Sequence, residues 1–393
     1  MRIGLCGITF GSVNYGVTAL AISQTSLIHK CAIQNGIEPE YYVFSIDKQE
    51  NVDRICSQLN INRVKVCQPA RYRTGLKGLE ELIENMKKCD YIFDLTKGDS
   101  FSDIYGYNRF FLQAIEKYIA IKKSILIISP QTIGPFKNPI VKKVASYLLK
   151  NADSVFARDS KSADYVRAIC NKVTVKTTSD LAFYLPYSSL GKLSKTDGKL
   201  HVGINISGLL WIGGYTGKNE FGLTCNYQQF IYQLIEKLLS RENVEITLFG
   251  HVYMDGGDDD YRVCKEVNKK YPDTNLAPKF SDPIEAKSFM SKLDIVIGAR
   301  MHATIGAVSS GTPALPFSYS RKFEGLYDSL DYPYVIKATK WNVQKSIEFV
   351  FDTLDKLDVV SKCAEKAVER ALAKNNDYCS TIMAYFAGGN NVR

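Results

Sequence analysis

The stretch IVIGARMHATIGAVSSGTPALPF (295–317) decides the fold. Ile295 to Gly298 is a short apolar run that stops at a glycine. A helix follows, running to about Ser310, with Arg300 and His302 on the turn that begins it. Gly311 closes that helix, and Pro313 leads into a second apolar run. Strand, turn, helix, glycine and strand together make a parallel α/β unit. The same alternation extends in both directions. Upstream in the same half lie HVGINISG (201–208) and VEITLFG (244–250), with DIVIGA (294–299) and ALPFS (314–318) completing the series. The first half repeats it, with strands read at RIGLCGIT (2–9), YYVFSI (41–46), RVKVC (63–67), DYIFDL (90–95), SILIIS (124–129) and DSVFAR (153–158). A helix is read from about Tyr15 to Asn35, with Asn14 as its N-cap and Gly36 as its stop.

Between the halves, LPYSSLGKLSKTDGK (185–199) is rich in Pro, Gly, Ser and Lys and has no periodicity, so it reads as a linker. The expected organisation is an N-terminal Rossmann-like domain over 1–185, a linker over 186–199, a C-terminal Rossmann-like domain over 200–358 and a helical region over 359–393. The fold class is α/β with two facing Rossmann-like domains. In such sheets ligands bind beyond the carboxyl ends of the strands, so the loops after these strands are where chemistry is expected.

Composition narrows the function classes. The chain has 393 residues, 45% apolar and 23% charged, which excludes global disorder. Fifty Lys and Arg against 41 Asp and Glu give +9, but the charge is scattered and no run reads as a nucleic-acid arm. An anionic small molecule or an anionic lipid surface suits it better. MRIGLCGITFG has no signal-peptide pattern, and no apolar run is long enough to span a membrane. The ten cysteines form no CxxC pair and read as reduced thiols, so a cytoplasmic protein without disulfides or a metal site is expected.

Four loops carry candidate chemistry. Arg300 and His302 sit at a helix N-terminus, where free amides and the macrodipole attract anions. The guanidinium adds a bidentate partner for phosphate or carboxylate, and the imidazole adds a proton donor. Arg158 lies just past a strand end, with Asp159 and Ser160 read as caps of the next helix. In DYIFDLTKGDSFSDIYGYNRFF (90–111), Asp94, Asp99 and Asp103 cluster at a strand end, suited to general-base work, to holding sugar hydroxyls or to helix capping. Gln131 is the polar tip of SPQTIGPF (129–136). The acidic loop MDGGDDD (254–260) lacks calcium-loop spacing and reads as a solvated turn and helix cap.

Taken in order, N-Y-G (14–16), D-L-T-K-G-D-S-F-S-D-I-Y-G (94–106), S-P-Q-T-I-G-P-F (129–136), A-R-D-S (157–160) and G-A-R-M-H-A-T-I-G-A (298–307) followed by G-T-P resemble the polysaccharide pyruvyltransferase family. Lys322 in YSRKFEGL extends the likeness. The chain departs from the family pattern at Gly16-Val17 and at Lys97-Gly98-Asp99. The resemblance implies a fold like the B-type glycosyltransferases and transfer of pyruvate from phosphoenolpyruvate to two sugar hydroxyls as a cyclic ketal, without a cofactor. It implies donor contacts at Arg158, Arg300, His302 and Lys322. His302 is expected as the acid or phosphate stabiliser, and Asp99 or Asp94 as the base. Asn14, Asp99, Asp103 and Gln131 are expected on the acceptor side. The acceptor is a free or lipid-linked sugar, and contact with an anionic membrane is a further expectation of partner. Two alternatives stay open. One is a nucleotide-sugar glycosyltransferase of the same fold, with Arg300 and Lys322 on the diphosphate and Glu324 on the ribose; the other is a non-catalytic carbohydrate-binding relative.

Overall fold

The computed structural model describes residues 1–67 and 76–388, so the last five positions of the expected C-terminal helical region lie outside the described residues. The chain divides into two units. The first holds Met1–Ser12, Leu20–Tyr184 and the residues from Ala371 on; the second holds Val13–Ala19 and Leu185–Arg370. The sequence set 359–393 apart as one region, whereas the division falls inside the helix Leu357–Lys374.

The first unit carries a seven-stranded parallel sheet in the order β3-β2-β1-β4-β5-β6-β7. Its strands are β1 Arg2–Cys6, β2 Glu40–Phe44, β3 Val64–Cys67, β4 Tyr91–Asp94, β5 Ile125–Gln131, β6 Ser154–Ala157 and β7 Val175–Thr177. The second carries a six-stranded parallel sheet in the order β10-β9-β8-β11-β12-β13. Its strands are β8 Leu200–Asn205, β9 Val244–Phe249, β10 Asn275–Leu276, β11 Ile295–Gly298, β12 Ala314–Ser318 and β13 Ile336–Lys337. Both sheets are doubly wound. The strand order reverses at β1/β4 in the first and at β8/β11 in the second, the places where such sheets open a ligand crevice. Apolar central strands bury Ile92, Leu126, Ile128 and Val155 in one core and Val202, Ile204, Ile295, Ile297 and Phe317 in the other.

Local signals account for most element ends. Asn14 Oδ1 accepts from the Gly16 amide at the start of the helix Tyr15–Gln34. Asp159 caps Ser160–Ile169, and Gly311, at φ +79°, follows the helix Met301–Ser309. The stretch read as a linker is instead tied down within the second unit. Ser188 and Leu190 donate their amides to the Ser288 and Ser291 hydroxyls, and Ser194 Oγ donates to Asp294 at 2.6 Å. Its small polar side chains pin irregular backbone that carries no periodicity. Among the described residues no helix is long and apolar enough to cross a membrane, and all ten cysteines are free thiols.

Candidate active site

In the second unit, β11 ends at Gly298 and the helix Met301–Ser309 starts one turn later, with Arg300 as its N-cap residue. Asn205, the last residue of β8, fixes this start: its side-chain oxygen accepts from the Arg300 amide at 3.0 Å. Arg300 therefore stands at the reversal point of the second sheet. Its guanidinium is held by the acidic loop. Nη2 donates to Asp258 Oδ1 at 2.6 Å and Asp260 Oδ1 at 2.7 Å, and Nε reaches both Asp260 oxygens at 3.2 Å. Burial works against the charge on Arg300, but Asp260 and Asp258 outweigh it and hold the guanidinium protonated. All these bonds use the Nε and Nη2 edge, so Nη1 is the edge left for a ligand.

That finding corrects part of the reading of 254–260 as a solvated turn: residues 254–257 are exposed as read, but Asp258 and Asp260 turn to Arg300. Asp260 is buried completely and accepts from the Gly208, His251 and Val252 amides as well as from Arg300. Asp259 is the cap of Asp260–Lys270, as expected. Burial pushes the Asp260 carboxyl up, while Arg300 and the amides draw it back.

His302 lies in the first turn of the same helix and is half-buried. The Asn14-Tyr15-Gly16 segment, which belongs to this unit, closes on it. A Cβ added at Gly16 would sit 2.3 Å from His302 Nδ1, so only glycine allows the ring its place. Tyr15 packs edge-on against His251 and Tyr253 and donates its hydroxyl to the Phe280 carbonyl. His251 is a neighbour that sequence reasoning missed. It is buried, neither ring nitrogen has a hydrogen-bond partner, and burial, then His302, then Arg300, pull it down to about 3. It is a neutral imidazole behind the site. Its only sequence signal was a position just past the end of β9. Lys322 is exposed in the first turn of Arg321–Ser329, and Glu324 of the same helix pairs with Lys340 at 3.2 Å.

In the first unit the counterpart lies after β4. Thr96, Lys97 and Gly98 all take positive φ, at +46°, +53° and +82°. Two consecutive non-glycine residues there store strain, which persists only where the surroundings over-determine it. Here they do. The Lys97 amide donates to the Gly7 carbonyl at 2.6 Å. Gly7 itself lies so close to Thr96 that a Cβ would meet its nitrogen at 2.3 Å. Asp94 and the Thr96 hydroxyl share a hydrogen bond, and Lys117 Nζ reaches Asp94 Oδ1 at 2.9 Å and Thr96 Oγ1 at 2.8 Å, all of them buried. Gln131, also buried, donates to the Asp94 carbonyl at 2.9 Å.

Asp99 follows this strained turn and stays partly exposed, accepting from the Tyr105 hydroxyl at 3.0 Å. Asp103 turns inward instead. Its Oδ2 accepts from the Lys137 and Asn138 amides at 2.8 Å each, which anchors the loop before the next helix. Arg158 lies past β6 in the same unit. Nη1 meets Asp180 Oδ2 at 3.0 Å and Nε meets Thr132 Oγ1 at 2.8 Å. Nothing in the local sequence marked Asp180 as its partner. Thus Arg300 and His302 share one helix start in the second unit, while Asp94, Asp99, Gln131 and Arg158 surround the strand ends of the first.

A family model described as polysaccharide pyruvyl transferase matches residues 28–321. The amylovoran biosynthesis protein AmsJ of Erwinia amylovora is 21% identical over 318 residues, covering 78% of this chain and 75% of that protein. Among solved structures, a putative UDP-N-acetylglucosamine 2-epimerase from Listeria monocytogenes superposes with a TM-score of 0.60 at 12% identity, over 99% of this chain and 97% of that one. The Anabaena protein Alr3699/HepE, solved with UDP and glucose, gives 0.58 at 13% identity over 98% of each chain. At these identities the likeness concerns the fold alone. The α/β class and the kinship with B-type glycosyltransferase-like folds are as expected.

Proposed function

The chain belongs to the polysaccharide pyruvyl transferase family, and from that premise we propose that it moves the pyruvyl group of phosphoenolpyruvate onto two hydroxyls of one sugar, releasing phosphate. It is a transferase with a pyruvyl-transfer role in polysaccharide biosynthesis. The acceptor is a sugar of a cell-surface polysaccharide or its lipid-linked precursor. The observation that carries the donor assignment is the Arg300–His302 pair at one helix start. A guanidinium kept charged by two carboxylates, the positive end of a helix dipole and an imidazole fit a ligand bearing both phosphate and carboxylate.

In this reaction the methylene carbon of phosphoenolpyruvate gains a proton and the adjacent carbon becomes oxocarbenium-like. One sugar hydroxyl bonds to that carbon, the carbon–oxygen bond to phosphate breaks, and the second hydroxyl closes the ketal. Of the two hydroxyl protons, one balances the new methyl group and the other leaves with phosphate. We assign His302 to proton delivery or to the departing phosphate. Arg300, Arg158 and Lys322 are assigned to the donor's charges, Arg300 through its Nη1 edge. Asp99, partly exposed, is the base on this reading, while Asp94, enclosed by Lys117, shapes the turn that presents it. Asn14 also positions Gly16 against His302, and Gln131 and Asp103 support the acceptor-side loops.

The test is phosphate release from phosphoenolpyruvate with galactose- or N-acetylmannosamine-type acceptors, with mass spectrometry for the pyruvyl ketal. His302→Ala should abolish release while the protein stays folded; retained turnover would sink the assignment. Phosphoenolpyruvate at 100 times its Kd should stabilise the wild type by about 2.7 kcal/mol. A shift with nucleotide sugars and none with phosphoenolpyruvate would favour glycosyl transfer instead.

A further inference from the structure

The helix Tyr107–Lys123 buries one face in the core of the first unit through Phe110, Ala114, Ile119 and Ala120. Its opposite face should be polar on a surface helix of a soluble protein. It is not. Tyr107, Phe111, Ile115 and Tyr118 follow one another at four- and three-residue spacing, and each is at least 39% exposed. The stripe runs about 16 Å along the helix. The neighbouring helix Pro139–Asn151 widens it with Ile140, 65% exposed, and Tyr147, whose ring lies 6.2 Å from that of Tyr118. A contiguous apolar face of this extent on a water-facing surface marks an interaction site.

Charge selects the partner. Lys122, Lys123, Lys142, Lys143 and Lys150 are exposed on the same two helices, and Lys137 stands just before the second. The only acidic residue in either helix is Glu116, and it is buried. Lys122 lies 5.7 Å from the Tyr118 ring, so cation and aromatic share one surface. Isoleucine and phenylalanine suit an acyl boundary, tyrosines suit the headgroup level, and lysines reach past them to anions. A second copy of the face would instead bring lysine against lysine across a two-fold axis.

We propose that the outer face of the helices Tyr107–Lys123 and Pro139–Asn151 docks on an anionic lipid bilayer, with the aromatic stripe in the interface and the lysines on the headgroups. This goes beyond the proposed reaction and does not depend on it, because the face belongs to the first unit alone and its readout is binding.

The full chain is sedimented with vesicles of phosphatidylcholine alone and with vesicles containing about a quarter phosphatidylglycerol. Binding to the anionic vesicles, weakened by added salt and weak on the neutral ones, is expected. Phe111→Ser with Ile115→Ser should lower the partition coefficient roughly tenfold or more, and Lys142→Glu with Lys143→Glu should do the same. Both pairs are exposed, so the melting temperature should hold; if the apolar pair lowers it, the lysine pair decides. No binding by the wild type, or equal binding by wild type and lysine variant, overturns the proposal. So does a wild-type dimer in light scattering that the apolar variant converts to monomer, since the face would then join two copies.

Discussion

His251 shows how one side chain ties stability to pH. Its ring lies between Tyr15 and the Arg300 cluster with no hydrogen-bond partner at Nδ1 or Nε2, and burial holds it at about 3 against an ordinary 6.5. As pH falls through 6.5 the unfolded chain takes up a proton at this position. The folded chain does not until about pH 3, so stability declines across that window as the solution is acidified. By about pH 5.5 the loss from this residue amounts to roughly 1 kcal/mol. His251→Phe removes the proton site and breaks no side-chain hydrogen bond. Urea denaturation at about pH 7.5 and about pH 5.5 should therefore show a smaller acid loss in the variant, by roughly that amount. Equal losses in both proteins would mean that His251 is not held neutral. The neighbouring Gly16 is a different case, since what matters there is the absence of a side chain against His302.

At the scale of elements, the acidic loop and the helix Met301–Ser309 are coupled by two carboxylates, of which Asp260 is the fully buried one. Asp260 collects amides from Gly208, His251 and Val252, which follow β8 and β9, and the guanidinium of Arg300, which follows β11. Removing Asp260 takes from Arg300 its fully buried counter-charge, leaving it only the partly exposed Asp258, and takes the acceptor from three amides. Asp260→Ala should thus cost about 3–5 kcal/mol in urea denaturation. Arg300→Met in the Asp260→Ala background should cost far less than in the wild type, because the fully buried Asp260 carboxylate is no longer there to be stranded and Asp258 is partly exposed. Strictly additive losses would show that the pair does not act as a unit. The spacing of apolar residues located this strand–helix junction well: the turn, the helix end and Gly311 lie where the sequence puts them. The identity of the counter-ions was not legible, because Asp258 and Asp260 stand about forty positions away and acidic residues in a glycine-rich loop read equally well as solvent-facing.

For the whole molecule, the chain returns to its first unit at the end. Tyr378 is fully buried against Phe156, with its hydroxyl on Ser129, and Asn375 accepts from the Ser179 amide. Tyr385 and Phe386 pack on Tyr91. Each such large side chain contributes roughly 1.5–3 kcal/mol by burial, which together rivals the net stability of a domain. A chain ending at Arg370 should leave the first unit open to limited proteolysis while Leu185–Arg370 stays resistant. Protection of both units alike would show the final helices to be dispensable.

The sequence by itself determined the α/β class, the two series of strands, the starts of the helices at Tyr15, Ser160 and Met301 and the loops that hold Arg158, Arg300 and His302. These follow from local rules, namely apolar spacing, capping side chains and glycine at turns, that act within a few residues. It passed over β7, β10 and β13, which at three, two and two residues carry too little pattern to register. Only the tertiary structure decided that Arg158 answers to Asp180, that Arg300 answers to Asp258 and Asp260, that His251 stays neutral and that the final helices join the first unit. Those outcomes depend on burial and on partners far apart in the chain, and a pair interaction has no signature in either residue's own neighbourhood.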